Sequence, residues 1–179
     1  MKLNKMPKFW GIYEITGAGD EILSVDVDKE NLQWQIENEY TGDLKLIEID
    51  FTEYLGGLYY LGYDVEWELR NLLGQDQDED PEYAIVAYGN NWRGDTGTKI
   101  CQNLSDVFSR SYEATFSDVE VSEDGKYITY RESNHDCPTG ALCIVVRLTE
   151  YEDKRARSDD GVYEYLVGLA NDARKVLDK

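Results

Sequence analysis

The sequence holds one histidine, three cysteines and three prolines among 179 residues, and each scarcity removes a class of protein. A triad or metal centre built on several imidazoles is excluded, because everything would have to assemble around His135. Cys101, Cys137 and Cys143 are too few, and odd in number, for a disulfide framework, which fits a reducing, cytoplasmic setting. No run of 18 apolar residues exists, so no membrane-spanning helix is expected. The opening MKLNKMPKFWGIYEI reaches polar Glu14 before an apolar stretch of signal-peptide length has formed. The deepest shortage is of basic residues: 18 Lys and Arg stand against 37 Asp and Glu, for a net charge of −19 and a pI near 4.3. Such a field repels free nucleic acid and anionic membrane surfaces, so neither is expected as a partner.

What is present suffices for a core. Hydrophobic residues make up 41% and aromatics 12%, with 14 Tyr and 4 Trp, which opposes global disorder despite a mean hydropathy of −0.59. The charge is uneven. Residues 1–8 carry three Lys and no acid, residues 9–92 hold 20 acids against 3 basic residues, and residues 93–179 hold 17 against 12. The low-complexity run QDQDEDPE, residues 75–82, reads as an exposed linker, since clustered acids resist burial and Pro81 cannot continue a helix. The expected organisation is an acidic β-rich lobe over 1–74, the linker 75–82 and an α+β lobe over 83–179, which together can also form one compact domain.

In the first lobe, FWGIYEIT (9–16) and EILSVDVD (21–28) predict a hairpin through Gly17-Ala18-Gly19-Asp20. NLQWQIENEY, from residue 31, fits a helix or a strand. LKLIEIDF (44–51) alternates as a strand, and Asp64 to Leu73 predicts a short helix ended by Gly74. In the second lobe, YAIVAYG (83–89) suits a buried strand, and TKICQNLSDVFSRSY puts Ile100, Leu104, Val107 and Phe108 on one helical face. Strands are expected near 114–121, 126–132 and 141–149, with turns at Glu123-Asp124-Gly125 and at residues 136–140. A final helix carries Val162, Leu166, Leu169, Ala173 and Leu177 as its stripe, capped by Asp159 or Asp160. The order β-α-β-β-β-α gives an α+β fold.

Motifs with chemistry are weak. His135, Cys137, Cys143 and Cys101 could in principle supply four zinc ligands or an activated thiol, but the spacing H-x-C-x5-C lacks a C-x-x-C knuckle and Cys143 sits in an apolar strand. The alternate acids from Asp76 to Asp80 resemble the start of a calcium loop, yet the sixth position is not Gly and Ala87 stands where a bidentate acid belongs. The loop Asn90-Asn91-Trp92-Arg93 follows a strand as phosphate-binding loops do, but carries neither a P-loop nor a GxGxxG pattern. A small enzyme or ligand-binding protein using this loop and the His135/Cys137 turn is the alternative reading; the main reading needs no catalytic residue, metal or cofactor.

The stronger signal is charge. Asp26 with Asp28, Glu48 with Asp50, and Asp118 with Glu120 are i, i+2 pairs on strand-like segments, where both members would share a sheet face about 6.6–6.8 Å apart. Asp64, Glu66 and Glu68 add charge around Trp67, Tyr63 and Tyr59, and the linker adds Asp76, Asp78, Glu79, Asp80 and Glu82. Rows of carboxylates at that spacing approach a nucleic-acid charge pattern, although a soluble protein also places acids on a solvated strand face. In size and charge the chain is similar to the acidic inhibitors that phages and mobile elements make against restriction or CRISPR nucleases, some of which imitate DNA. That resemblance implies a non-enzymatic inhibitor docking on the basic nucleic-acid-binding surface of a partner protein, without binding nucleic acid itself. An immunity-type inhibitor of a basic toxin nuclease would use the same physics, and a homodimer is open.

Overall fold

The computed structural model describes residues 2–75, 83–88, 98–108, 114–134, 140–149, 152, 154, 155, 157 and 162–177. Among them are nine strands in two antiparallel sheets and five helices, an α+β fold. The chain divides into two units, one formed by Pro7–Val65 and the other by Met1–Met6 with Glu66–Lys179.

The Pro7–Val65 unit is a three-stranded sheet between two helices. β2 (Phe9–Thr16) lies centrally, flanked by β3 (Gly19–Asp26) and β4 (Leu44–Ile49). The hairpin loop is only Gly17-Ala18, with Gly19 at φ 129°, a value that suits glycine. Side-chain alternation along β2 assigns the helices to opposite faces. Phe9 stacks on Tyr54 at 4.5 Å and meets Phe51 at 5.6 Å, both on α2 (Phe51–Tyr60). Gly57 of the same helix comes so close to Val25 that an added Cβ would lie 2.6 Å from it. Trp10 and Ile12 point the other way, toward α1 (Lys29–Asn38), which buries Leu32. The ambiguous segment from residue 31 is therefore a helix. Its N-cap is Asp28, whose carboxylate accepts from the N–H groups of Glu30 and Asn31.

The expected strand over 44–51 stops at Ile49, because Asp50 and Glu53 form a capping box that starts α2. That helix ends in a Schellman motif at Gly62, φ 75°, where Tyr63 N–H bonds Leu58 and Gly62 N–H bonds Tyr59.

The other unit is built on a six-stranded sheet in the order β1 (Leu3–Lys5), β7 (Thr115–Ser122), β8 (Tyr127–Ser133), β9 (Ala141–Arg147), β5 (Tyr83–Tyr88), β6 (Thr98–Cys101). α3 (Val65–Leu72) closes on Gly74, φ 64°, with a second Schellman pair from Gln75 and Gly74 to Arg70 and Asn71. The helix expected from Thr98 is corrected. Residues 98–101 pair with β5 as an edge strand, and the helix α4 covers only Leu104–Val107, capped by Asn103. Local apolar spacing there is overridden by the free edge that β5 offers. Among the described elements the run is thus β-β-α-β-β-β-α, one strand more than expected. α5 (Val162–Leu177) lays Leu166 against Ala84 and Leu148, and Ala173 against Ile144 and Val146. On the opposite sheet face Phe108, Phe116 and Tyr130 form an aromatic cluster with centroids 5.1–5.7 Å apart. No helix among the described residues is long and apolar enough to cross a membrane.

Candidate functional site

Most of the chain's charge excess is in the Pro7–Val65 unit. It has thirteen acidic side chains against three lysines and no arginine, and so carries more than half of the net −19. Each lysine is engaged within the unit. Lys8 pairs with Glu48 at 2.9 Å, Lys45 pairs with Asp20 and lies 5.9 Å from the Tyr13 ring centroid, and Lys29 lies 4.3 Å from the Trp10 ring centroid.

The three carboxylate pairs do not form same-face rows. Asp26 ends β3, but Asp28 has left the strand to cap α1. Glu48 is in β4, but Asp50 has left it to cap α2. Asp118 sits at φ 50° in a bulge where the pairing of β7 with β8 jumps from Ser117 to Glu120, so it does not project as a regular strand neighbour of Glu120. In each case one acid sits where a chain must turn or a helix must start, a role that Asp fills by accepting N–H groups or tolerating positive φ. Two of the three pairs are strand-to-helix junctions.

Tertiary pairing makes a different row. Asp26 and Glu48 stand opposite Trp10 on its two neighbouring strands, so the three side chains lie side by side on the α1 face. Asp26 is further fixed by accepting from Asp28 N at 3.0 Å and from the Asn31 amide at 2.7 Å. Asp64 is exposed just before α3.

In the other unit, Glu66 is occupied internally. One carboxylate oxygen takes the Arg70 Nε at 2.9 Å, and the other accepts Ser105 N at 2.8 Å, tying α3 to the start of α4. Trp67 is 49% exposed and Glu68 follows it on α3. Asp76, Asp78, Glu79, Asp80 and Glu82 lie outside the described residues, as do His135, Cys137 and the Asn90–Arg93 loop.

The remaining thiols are poorly suited to nucleophilic or ligand chemistry. Cys101 and Cys143 are buried in β6 and β9, and burial pushes the Cys101 thiol up and the Cys143 thiol up to about 11. Tyr130, across from Cys143, is likewise raised by burial. Among the described residues no group of three His, Cys, Asp or Glu side chains is placed to hold a metal ion.

Sequence reasoning missed Trp34. It is 54% exposed in the middle of α1, between Glu30 one turn before and Glu37 one turn after. The signal was present: two residues along a helix is more than half a turn, so with Leu32 buried the choice of a helix forces the Trp34 indole outward. No family model matches the chain, and neither a curated protein nor a solved structure matches it.

Proposed function

We propose that this protein is an acidic inhibitor that docks on the basic nucleic-acid-binding surface of a partner protein, of the kind phages and mobile elements direct against restriction or CRISPR nucleases. The observation that carries this reading is the electrostatic accounting of the Pro7–Val65 unit. Its three lysines are consumed internally, and most of its thirteen acids have no cation of their own unit beside them. Carboxylates held on a preformed scaffold lose little freedom when arginine and lysine reach them, and the net field speeds encounter with a basic groove. Exposed aromatics among the acids, including Tyr59, Tyr60 and Tyr63 in this unit, supply area that can be desolvated at a contact. Because the i, i+2 pairs are not rows, complementarity would rest on local groups of acid and aromatic, not on a ladder at phosphate spacing.

The test uses the purified chain as bait and then a defined competition. The captured partner should be a nucleic-acid-binding protein, and excess duplex DNA should displace it from the chain. Binding should weaken steeply between low and moderate salt. A partner that holds DNA and this protein at once would sink the reading.

A further inference from the structure

The Pro7–Val65 unit sets an aromatic ring among carboxylates at three places, and two of them are filled by its own cations. Trp10 stands between Asp26 and Glu48 on adjacent strands, and Lys29 lies over its ring at 4.3 Å. Tyr13 has Asp20, Asp50 and Glu53 near enough to act on its hydroxyl, which is raised first by burial and then by those acids, and Lys45 lies toward its ring. The third place is the outer face of α1. Glu30 and Trp34 stand two positions either side of buried Leu32 and Glu37 stands five beyond it, so helical rotation carries all three to the side opposite Leu32. There they are surface neighbours, Glu30 at i−4 and Glu37 at i+3 from the indole, and form a single outward stripe. Lys29, the helix's one cation, is turned onto Trp10. Glu37 accepts only the Gln33 amide, at 3.0 Å, and no lysine or arginine among the described residues pairs with Glu30, Glu37 or Trp34. The unit has no further cation to offer.

We infer that this face receives an arginine of the partner, the guanidinium stacking on the Trp34 indole and donating N–H bonds to Glu30 and Glu37. The inference rests on the acidic-docking reading and names its anchor. Arginine suits the face better than lysine. Its planar group covers an indole while its several donors reach carboxylates on either side, whereas an ammonium is a compact, strongly hydrated point. An exposed tryptophan between two carboxylates that form no ion pair among the described residues also fits the composition of interface anchors.

Acetylated hexa-arginine is the probe, titrated at low salt against the whole chain. The four Trp indole N–H resonances are followed, assigned with single Trp→Phe variants. The Trp34 signal should move first and furthest, while the Trp10 signal, covered by Lys29, stays in place. Trp34→Ala should weaken the peptide about fivefold, the Glu30→Gln/Glu37→Gln pair should weaken it by a similar factor, and hexalysine should bind less tightly than hexa-arginine. Unchanged melting temperatures confirm that these surface variants remain folded. Hexa-arginine binding with a still Trp34 signal, equal affinity in Trp34→Ala, or equal affinity for hexalysine would each overturn the arginine site while leaving acidic docking standing. Failure of hexa-arginine to bind at all would overturn acidic docking as well.

Discussion

Lys29 holds its ammonium 4.3 Å from the centroid of the Trp10 ring, on the sheet face where Asp26 and Glu48 flank that tryptophan from the neighbouring strands. The contact joins the first turn of α1 to the central strand. Lys29→Gln should therefore cost about 0.5–1 kcal/mol of stability, measured by denaturant unfolding, and should make Trp10 a second ring that responds to added arginine peptide. No change in stability, with Trp10 still silent, would show that the lysine merely rests there.

Asp28 and Asp50 are both helix caps and proposed contact residues, and the two roles separate by chemistry. Asp28→Ala and Asp50→Ala should each lower stability by about 1 kcal/mol, while the Asn variants, which also cap, should lose much less. If the carboxylates also touch a partner, Asn at either position weakens binding with the melting temperature almost intact. Loss of binding only in the Ala variants would assign both acids to folding alone.

Alkaline pH should unfold the chain through buried phenol and thiol. Burial raises Tyr83 to about 12 from 10.0 and Cys143 to about 11 from 9.0, so the unfolded chain gives up these protons first. Their contribution is full below pH 9.0 and is lost as pH climbs through about 11 and 12. Tyr83→Phe should flatten that limb. At neutral pH it should cost about 1–3 kcal/mol, because the Tyr83 hydroxyl donates to the Oε1 of buried Gln75, whose Nε2 already has no partner among the described residues. Adding Gln75→Leu should recover part of the loss, and a strictly additive double variant would contradict the coupling.

Self-repulsion among acids with so few local cations should make folding salt-dependent. The melting temperature should rise between low and moderate sodium chloride, since screening over ~8 Å at physiological ionic strength relieves unpaired neighbours more than it weakens three lysine contacts. A flat or falling curve would mean that the acids are too dispersed to repel one another.

Where a pattern was local, the sequence determined it. The hairpin of β2 and β3, the stop of α3 at Gly74, the Glu123-Asp124-Gly125 turn and the final helix all follow from turn glycines, alternation and apolar stripes within a dozen or so residues. Composition alone placed the acidic excess in the first half. Tertiary structure decided the rest. Thr98–Cys101 became an edge strand because β5 supplied a pairing partner that helical spacing could not reveal, and Leu3–Lys5 joined β7 across more than a hundred residues of sequence. The carboxylate pairs were misread for a related reason. An aspartate two residues beyond a strand acid is on the same face only if the strand continues, and at Asp28 and Asp50 unsatisfied helix N–H groups took the side chain instead. Which acids stand together, as Asp26 and Glu48 do across Trp10, was set by antiparallel register, a relation between distant segments that no single stretch of sequence contains.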